Sequence, residues 1–118
     1  MPSSPDRASE SPIDTDHLRD ATLSDPALER EVLELFATQS AEVLRSLEAM
    51  PDNAAALAHT LKGSSRAIGA FQVADAAADL EDILRATGDP RAALERLVRE
   101  VALAQLAIGR MLRRSGPC

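Results

Sequence analysis

The sequence is most informative first by what it lacks. It has no tryptophan, no tyrosine and two phenylalanines, so its core must be built from alanine and branched aliphatic side chains. That composition suits closely packed helices. The only cysteine is Cys118, which excludes an internal disulfide and sets the expectation of a reducing cytoplasm. No apolar run approaches the ~20 residues of a membrane span, and the first dozen residues lack the apolar centre of a signal peptide. Basic surplus is missing too: 13 Lys and Arg face 19 Asp and Glu, a formal charge of −6 that argues against nucleic acid as a partner. Two separated histidines and one terminal cysteine supply no ligand cluster, so no metal is expected. A glycine-rich phosphate loop is also absent, which excludes an autonomous kinase.

What is present is helical periodicity in a chain of 118 residues, enough for one modest core. Residues 1–12 carry Pro, Ser and charge without apolar spacing and read as a disordered lead. A short helix is expected over Ile13–Thr22, with Asp14 or Thr15 near its start and Leu18 facing inward. Ser24-Asp25-Pro26 is a helix opening, with a side-chain cap and a proline that needs no donor. The helix it starts is expected to run to Met50, with Leu28, Val32, Leu35, Phe36, Val43, Leu47 and Met50 on the core side. A second stripe of Leu33, Ala37 and Leu44 has two accounts: cover by the N-terminal helix, or a docking surface.

Two further helices are expected from Pro51-Asp52 to Ile68 and from Phe71 to Thr87, the second with Val73, Ala76, Ala77, Leu80, Ile83 and Leu84 as its stripe. Gly69 and Gly88 are placed to end them. A last helix continues from Pro90 to about Leu112, leaving 113–118 as a flexible tail. Gln39 and Gln105 fall on core stripes and are expected to bond to each other, to Thr60 or to water. The expected fold is all-α, an antiparallel four-helix bundle over 13–112 with a short N-terminal helix.

One stretch departs from ordinary bundle sequence: Ala58-His-Thr-Leu-Lys-Gly-Ser-Ser-Arg-Ala-Ile-Gly-Ala70. At about 100° per residue, and taking Leu57 as zero, Leu61 falls at about 40°, Ser64 at about 340° and Ile68 at about 20°. His59 falls at about 200°, Lys62 at about 140°, Arg66 at about 180° and Gly63 at about 240°. An imidazole and two cations thus face water with a glycine beside them. Mid-helix glycine costs about 1 kcal/mol relative to alanine, so it needs a reason.

His59, Lys62, Gly63, Ser64, Ser65, Ile68, Gly69 and Ala70, with the later Leu80-Glu81 pair, resemble the signature of histidine phosphotransfer (HPt) domains, the phosphocarriers of two-component phosphorelays. The resemblance implies a protein that accepts a phosphoryl group on the outer ring nitrogen of His59 from a receiver-domain aspartate and passes it to another. It implies Lys62 as the phosphate-stabilising cation and Gly63 as the residue that clears space for a partner. It also implies partners among response-regulator receiver domains and hybrid or sensor histidine kinases, with no cofactor of its own and Mg2+ in the receiver.

Neutral imidazole is a good nucleophile near neutral pH, and a cation one turn on lies beside it. Ala55 and Ala56, a turn before His59, add clearance, and Arg66 is a further contact for phosphate or an acidic partner. Ser64 is expected inward, in packing or a helix back-bond, with Ser65 as the other small residue of the motif. His17 reads as an ordinary surface side chain. Two alternatives stay open: a four-helix adaptor that binds receivers without accepting phosphate, and the dimerisation fragment of a sensor kinase. The second typically has Glu after its histidine and a proline beyond; here Thr60 follows, and the next proline is Pro90. A free-standing monomer is the expectation.

Overall fold

The computed structural model describes residues 11–114, all of whose regular elements are helices. Of the lead expected over 1–12 and the tail expected over 113–118, residues 1–10 and 115–118 lie outside the described residues. Helix α1 spans Thr15–Ala21, α2 Pro26–Glu48, α3 Ala54–Ile68, α4 Phe71–Arg85 and α5 Arg91–Arg114. Each of α2 to α5 packs on its neighbours in a closed ring, α2 on α3, α3 on α4, α4 on α5 and α5 on α2. The contact between α3 and α4 is the most extensive, and α1 lies against α3. None of these helices is long and apolar enough to cross a membrane.

Local chemistry sets the ends. Asp14 accepts from the His17 N–H at 3.1 Å to open α1, and Asp25 accepts from the Ala27 and Leu28 N–H groups ahead of Pro26. Asp89 accepts from the Arg91 N–H to open α5. α3 ends at Gly69, whose φ of +88° lets the Ala70 and Gly69 N–H groups return to Ser65 and Arg66 carbonyls. The same closure ends α4, but Thr87 rather than Gly88 takes the left-handed conformation. Thr87 and Gly88 donate to Leu84 and Ile83, which satisfies the terminal carbonyls without a glycine at the turning residue. α5 continues two residues past the expected end, through Arg114.

The core is aliphatic. Leu18, Leu47, Leu61, Leu80, Leu97 and Ile108 are its largest fully buried side chains. In α2 the buried face runs through Leu33, Phe36, Ser40 and Leu47, so the stripe expected from spacing was turned too far. Leu28, Leu35 and Met50 are exposed, Leu35 by 62 %. Leu33 lies instead in a crevice with Arg19 of α1 and Met111 of α5. The cause is Ser40, a polar residue at a core position that the apolar pattern skipped. Its hydroxyl donates to the Ala37 carbonyl at 3.3 Å, and Gln105 Nε2 donates to both Ala37 O and Ser40 Oγ. Gln105 therefore ties α5 to α2, with a partner other than those expected. His17 is half-buried, edge-on to Phe71 with ring centroids 5.1 Å apart, and is no ordinary surface residue.

Gly69 also anchors α1. Its carbonyl accepts the Asp14 N–H at 2.9 Å, and a Cβ at position 69 would stand 2.8 Å from the Asp14 carbonyl oxygen. Gly69→Ala is expected to lower stability by about 1–3 kcal/mol, through both left-handed strain and displacement of α1. Urea unfolding read by far-UV circular dichroism checks this.

Candidate functional site

His59 lies in the first half of α3, on the side away from Ala54, Ala58, Leu61, Ser65 and Ile68, which form the buried face. Its side chain is 61 % exposed. The two-residue turn at Gly69-Ala70 folds α4 back antiparallel, and Glu81 lies about as far beyond that turn as His59 lies before it. The hairpin therefore brings the two level. Glu81 Oε2 is 3.0 Å from His59 Nδ1.

Glu81 is the centre of the site. It is 6 % exposed, on the buried side of α4 beside Leu80, and a carboxylate there must be matched by cations. Lys62 Nζ stands 3.0 Å from Oε1, and the Arg85 guanidinium reaches Oε2 with Nε and a terminal nitrogen, each at 3.0 Å. Lys62, then Arg85 and His59, hold the Glu81 carboxyl down to about 2, against the opposing effect of burial. Glu81 is thus ionised at neutral pH and only accepts hydrogen bonds. The shared proton must then sit on His59 Nδ1, which leaves Nε2 of a neutral ring with its lone pair free. Among the described residues no hydrogen bond involves Nε2.

The remaining residues singled out in the sequence are distributed around this cluster. Lys62 does not simply face water: its side chain is 22 % exposed and its charge is engaged by Glu81. An ammonium has three donors, so others stay available. Gly63 is exposed, and a Cβ added there would meet nothing within 4 Å. No contact within the chain explains the glycine. Ala56 is exposed and Ala55 half-buried. Arg66 is exposed and joins no ion pair among the described residues. Gly69 is at the far end of α3.

The two serines exchange their expected parts. Ser65 is fully buried and donates to the Leu61 carbonyl at 2.6 Å. Ser64 is half-buried and lines a groove of about 440 Å³ with Val32, Leu35, Phe36, Gln39, Ala67 and Ile68. The inward centre of α3 is turned past the Leu57 reference toward Ala58 and Ser65, which explains the exchange.

Glu81 and Arg85 were not among the residues assigned roles from sequence. The signal for Glu81 was there: an acid on the same face as Ala77 and Leu80, at core spacing, demands a cationic partner. Arg85 follows from it at the i+4 position. Among the described residues no three His, Cys, Asp or Glu side chains cluster in a way that could hold a metal ion.

A family model described as Hpt domain matches residues 31–113, which include the whole cluster. No curated protein and no solved structure matches the chain.

Two predictions follow from Glu81 and Gly63. Because the folded-state value of Glu81 lies below its ordinary 4.5, its stabilising effect is complete above that pH and lost as pH falls toward about 2. The melting temperature of Glu81→Gln should therefore lie below that of the parent at pH 7, with the gap closing through that acid window. Gly63→Ala, which meets open space, should raise stability by about 0.5–1 kcal/mol in chemical denaturation.

Proposed function

The chain belongs to the Hpt domain family, the domain of histidine phosphotransfer in two-component phosphorelays, and from that premise we propose that His59 is its phosphoacceptor. The observation that supports this best is the ionised Glu81 on Nδ1, which leaves the outer nitrogen of an exposed ring as the nucleophile. In the transfer, the Nε2 lone pair attacks phosphorus of a receiver-domain aspartyl phosphate. The N–P bond forms as the P–O bond to the aspartate breaks, and that carboxylate leaves. Positive charge gained by the ring is met through Nδ1–H by Glu81. The reverse sequence, with a second receiver aspartate as acceptor, returns His59 to its starting state.

Transfer between two proteins requires the imidazole to enter the partner's phosphate site, so the helix around it must be low. Gly63 and Ala56, with Ala55 at the edge, supply that clearance. Lys62 offers a free donor to the phosphoryl oxygens, and Arg66 faces an acidic partner surface. Mg2+ belongs to the receiver, which neutralises charge on the group being transferred. The chain acts in the cytoplasm as a monomeric carrier between a kinase-linked receiver and a response regulator, and has no kinase activity of its own.

Incubation with a phosphorylated receiver domain and magnesium should give an acid-labile, base-stable label on the parent protein and none on His59→Gln. Label on the variant would move the site elsewhere. A four-helix adaptor would bind receivers equally well with His59→Ala and never carry label. Gly63→Gln should slow transfer while leaving the helical signal intact, and unchanged transfer would remove the clearance role.

A further inference from the structure

Glu81 can orient His59 only if its own carboxylate is held, and the geometry shows what holds it. Oε1 faces Lys62 and Oε2 faces His59, so the two oxygens lie between two helix-α3 side chains one turn apart. A carboxylate in that position has an alternative: rotation that turns both oxygens onto the ammonium and away from the ring. Arg85 blocks it. Nε and a terminal guanidinium nitrogen both approach Oε2, the oxygen that His59 uses, at 3.0 Å. The guanidinium is planar with fixed donors, so this two-nitrogen grip fixes direction as well as charge. Arg85 follows Glu81 by one turn on α4, the favourable order for such a pair, and lies in the last turn, where a cation meets the negative end of the helix. Its side chain is 57 % exposed, so its removal leaves no hole in the core.

We propose that Arg85 is a positioning residue for His59, acting through Glu81: it holds Oε2 on Nδ1–H and thereby keeps the ring in the tautomer whose outer nitrogen is bare. Its importance for transfer rests on the phosphocarrier role of His59; its effect on the ring does not. Arg85 itself need not touch the phosphoryl group.

The experiment is the imidazole ¹⁵N spectrum of His59 in the unphosphorylated full chain, in alkaline buffer where the ring is neutral. The parent should show the proton on Nδ1. Arg85→Gln should shift the population toward the Nε2-protonated form, and Arg85→Lys, which keeps the charge but not the planar grip, should fall between. With a phosphorylated receiver, Arg85→Gln should transfer more slowly by a factor on the order of ten, as small misplacements of a reacting atom cost up to ~100-fold. Circular dichroism should show the fold retained. A parent-like tautomer in Arg85→Gln overturns the proposal, and slow transfer with that tautomer intact assigns Arg85 to direct contact with phosphate or partner instead. A parent ring protonated on Nε2 overturns it as well. Because the spectrum is recorded without phosphate, failure of the phosphocarrier role would appear separately, as no label on any variant despite the shift in tautomer.

Discussion

A carboxylate buried at a helix-helix contact is tolerated only where cations meet it, and Glu81 imposes that condition on the α3–α4 hairpin. Lys62 and Arg85 approach it from two helices and hold it ionised. Once ionised, Glu81 accepts from Nδ1, and the chemistry of the exposed ring is determined by a residue almost entirely withdrawn from solvent. The order of dependence thus runs inward. Nε2 depends on Nδ1–H, Nδ1–H on the charge of Glu81, and that charge on two basic side chains flanking it.

The bundle makes this arrangement possible through a short connection. Gly69, in the left-handed conformation, ends α3 within one residue and lets α4 start at once, so residues equidistant from the turn are paired across the hairpin. It also receives α1 through the Asp14 backbone. Gly63 has the opposite character. Nothing in the chain crowds it, and it weakens the helix that carries it. The first glycine serves the fold, and no contact within the chain accounts for the second. Beyond Gly63 the exposed side of α3 continues through Ala67 into the groove with Leu35, whose exposure spacing alone did not foresee.

Much of this was legible in the sequence. The helix openings at Ser24-Asp25-Pro26 and Gly88-Asp89-Pro90, the turn at Gly69 and the outward placement of His59 all follow from local rules that act within a few residues, although the capping side chain of α2 is Asp25 rather than Ser24. Most of the failures share a physical cause, which is polar residues inside the core. Ser40 occupies a buried position on α2 and rotated the inferred stripe toward Leu28 and Leu35. Ser65 lies on the buried face of α3, where its hydroxyl is satisfied by its own helix, and so displaces Ser64 from the inward position. Glu81 was read only as half of a family pair; its core spacing calls for a cation, but which side chains of the neighbouring helix meet it is encoded in no local pattern. Thr87 shows that a left-handed helix end does not always fall on the available glycine.

The site on the ring is open to direct observation. Phosphorus-nitrogen correlation in the NMR spectrum of the protein, charged by a phosphorylated receiver and kept alkaline, identifies which imidazole nitrogen bears phosphorus. A phosphoramidate at Nε2 of His59, with the proton still on Nδ1, is the predicted result. Phosphorus on Nδ1, or on another residue, would contradict the account.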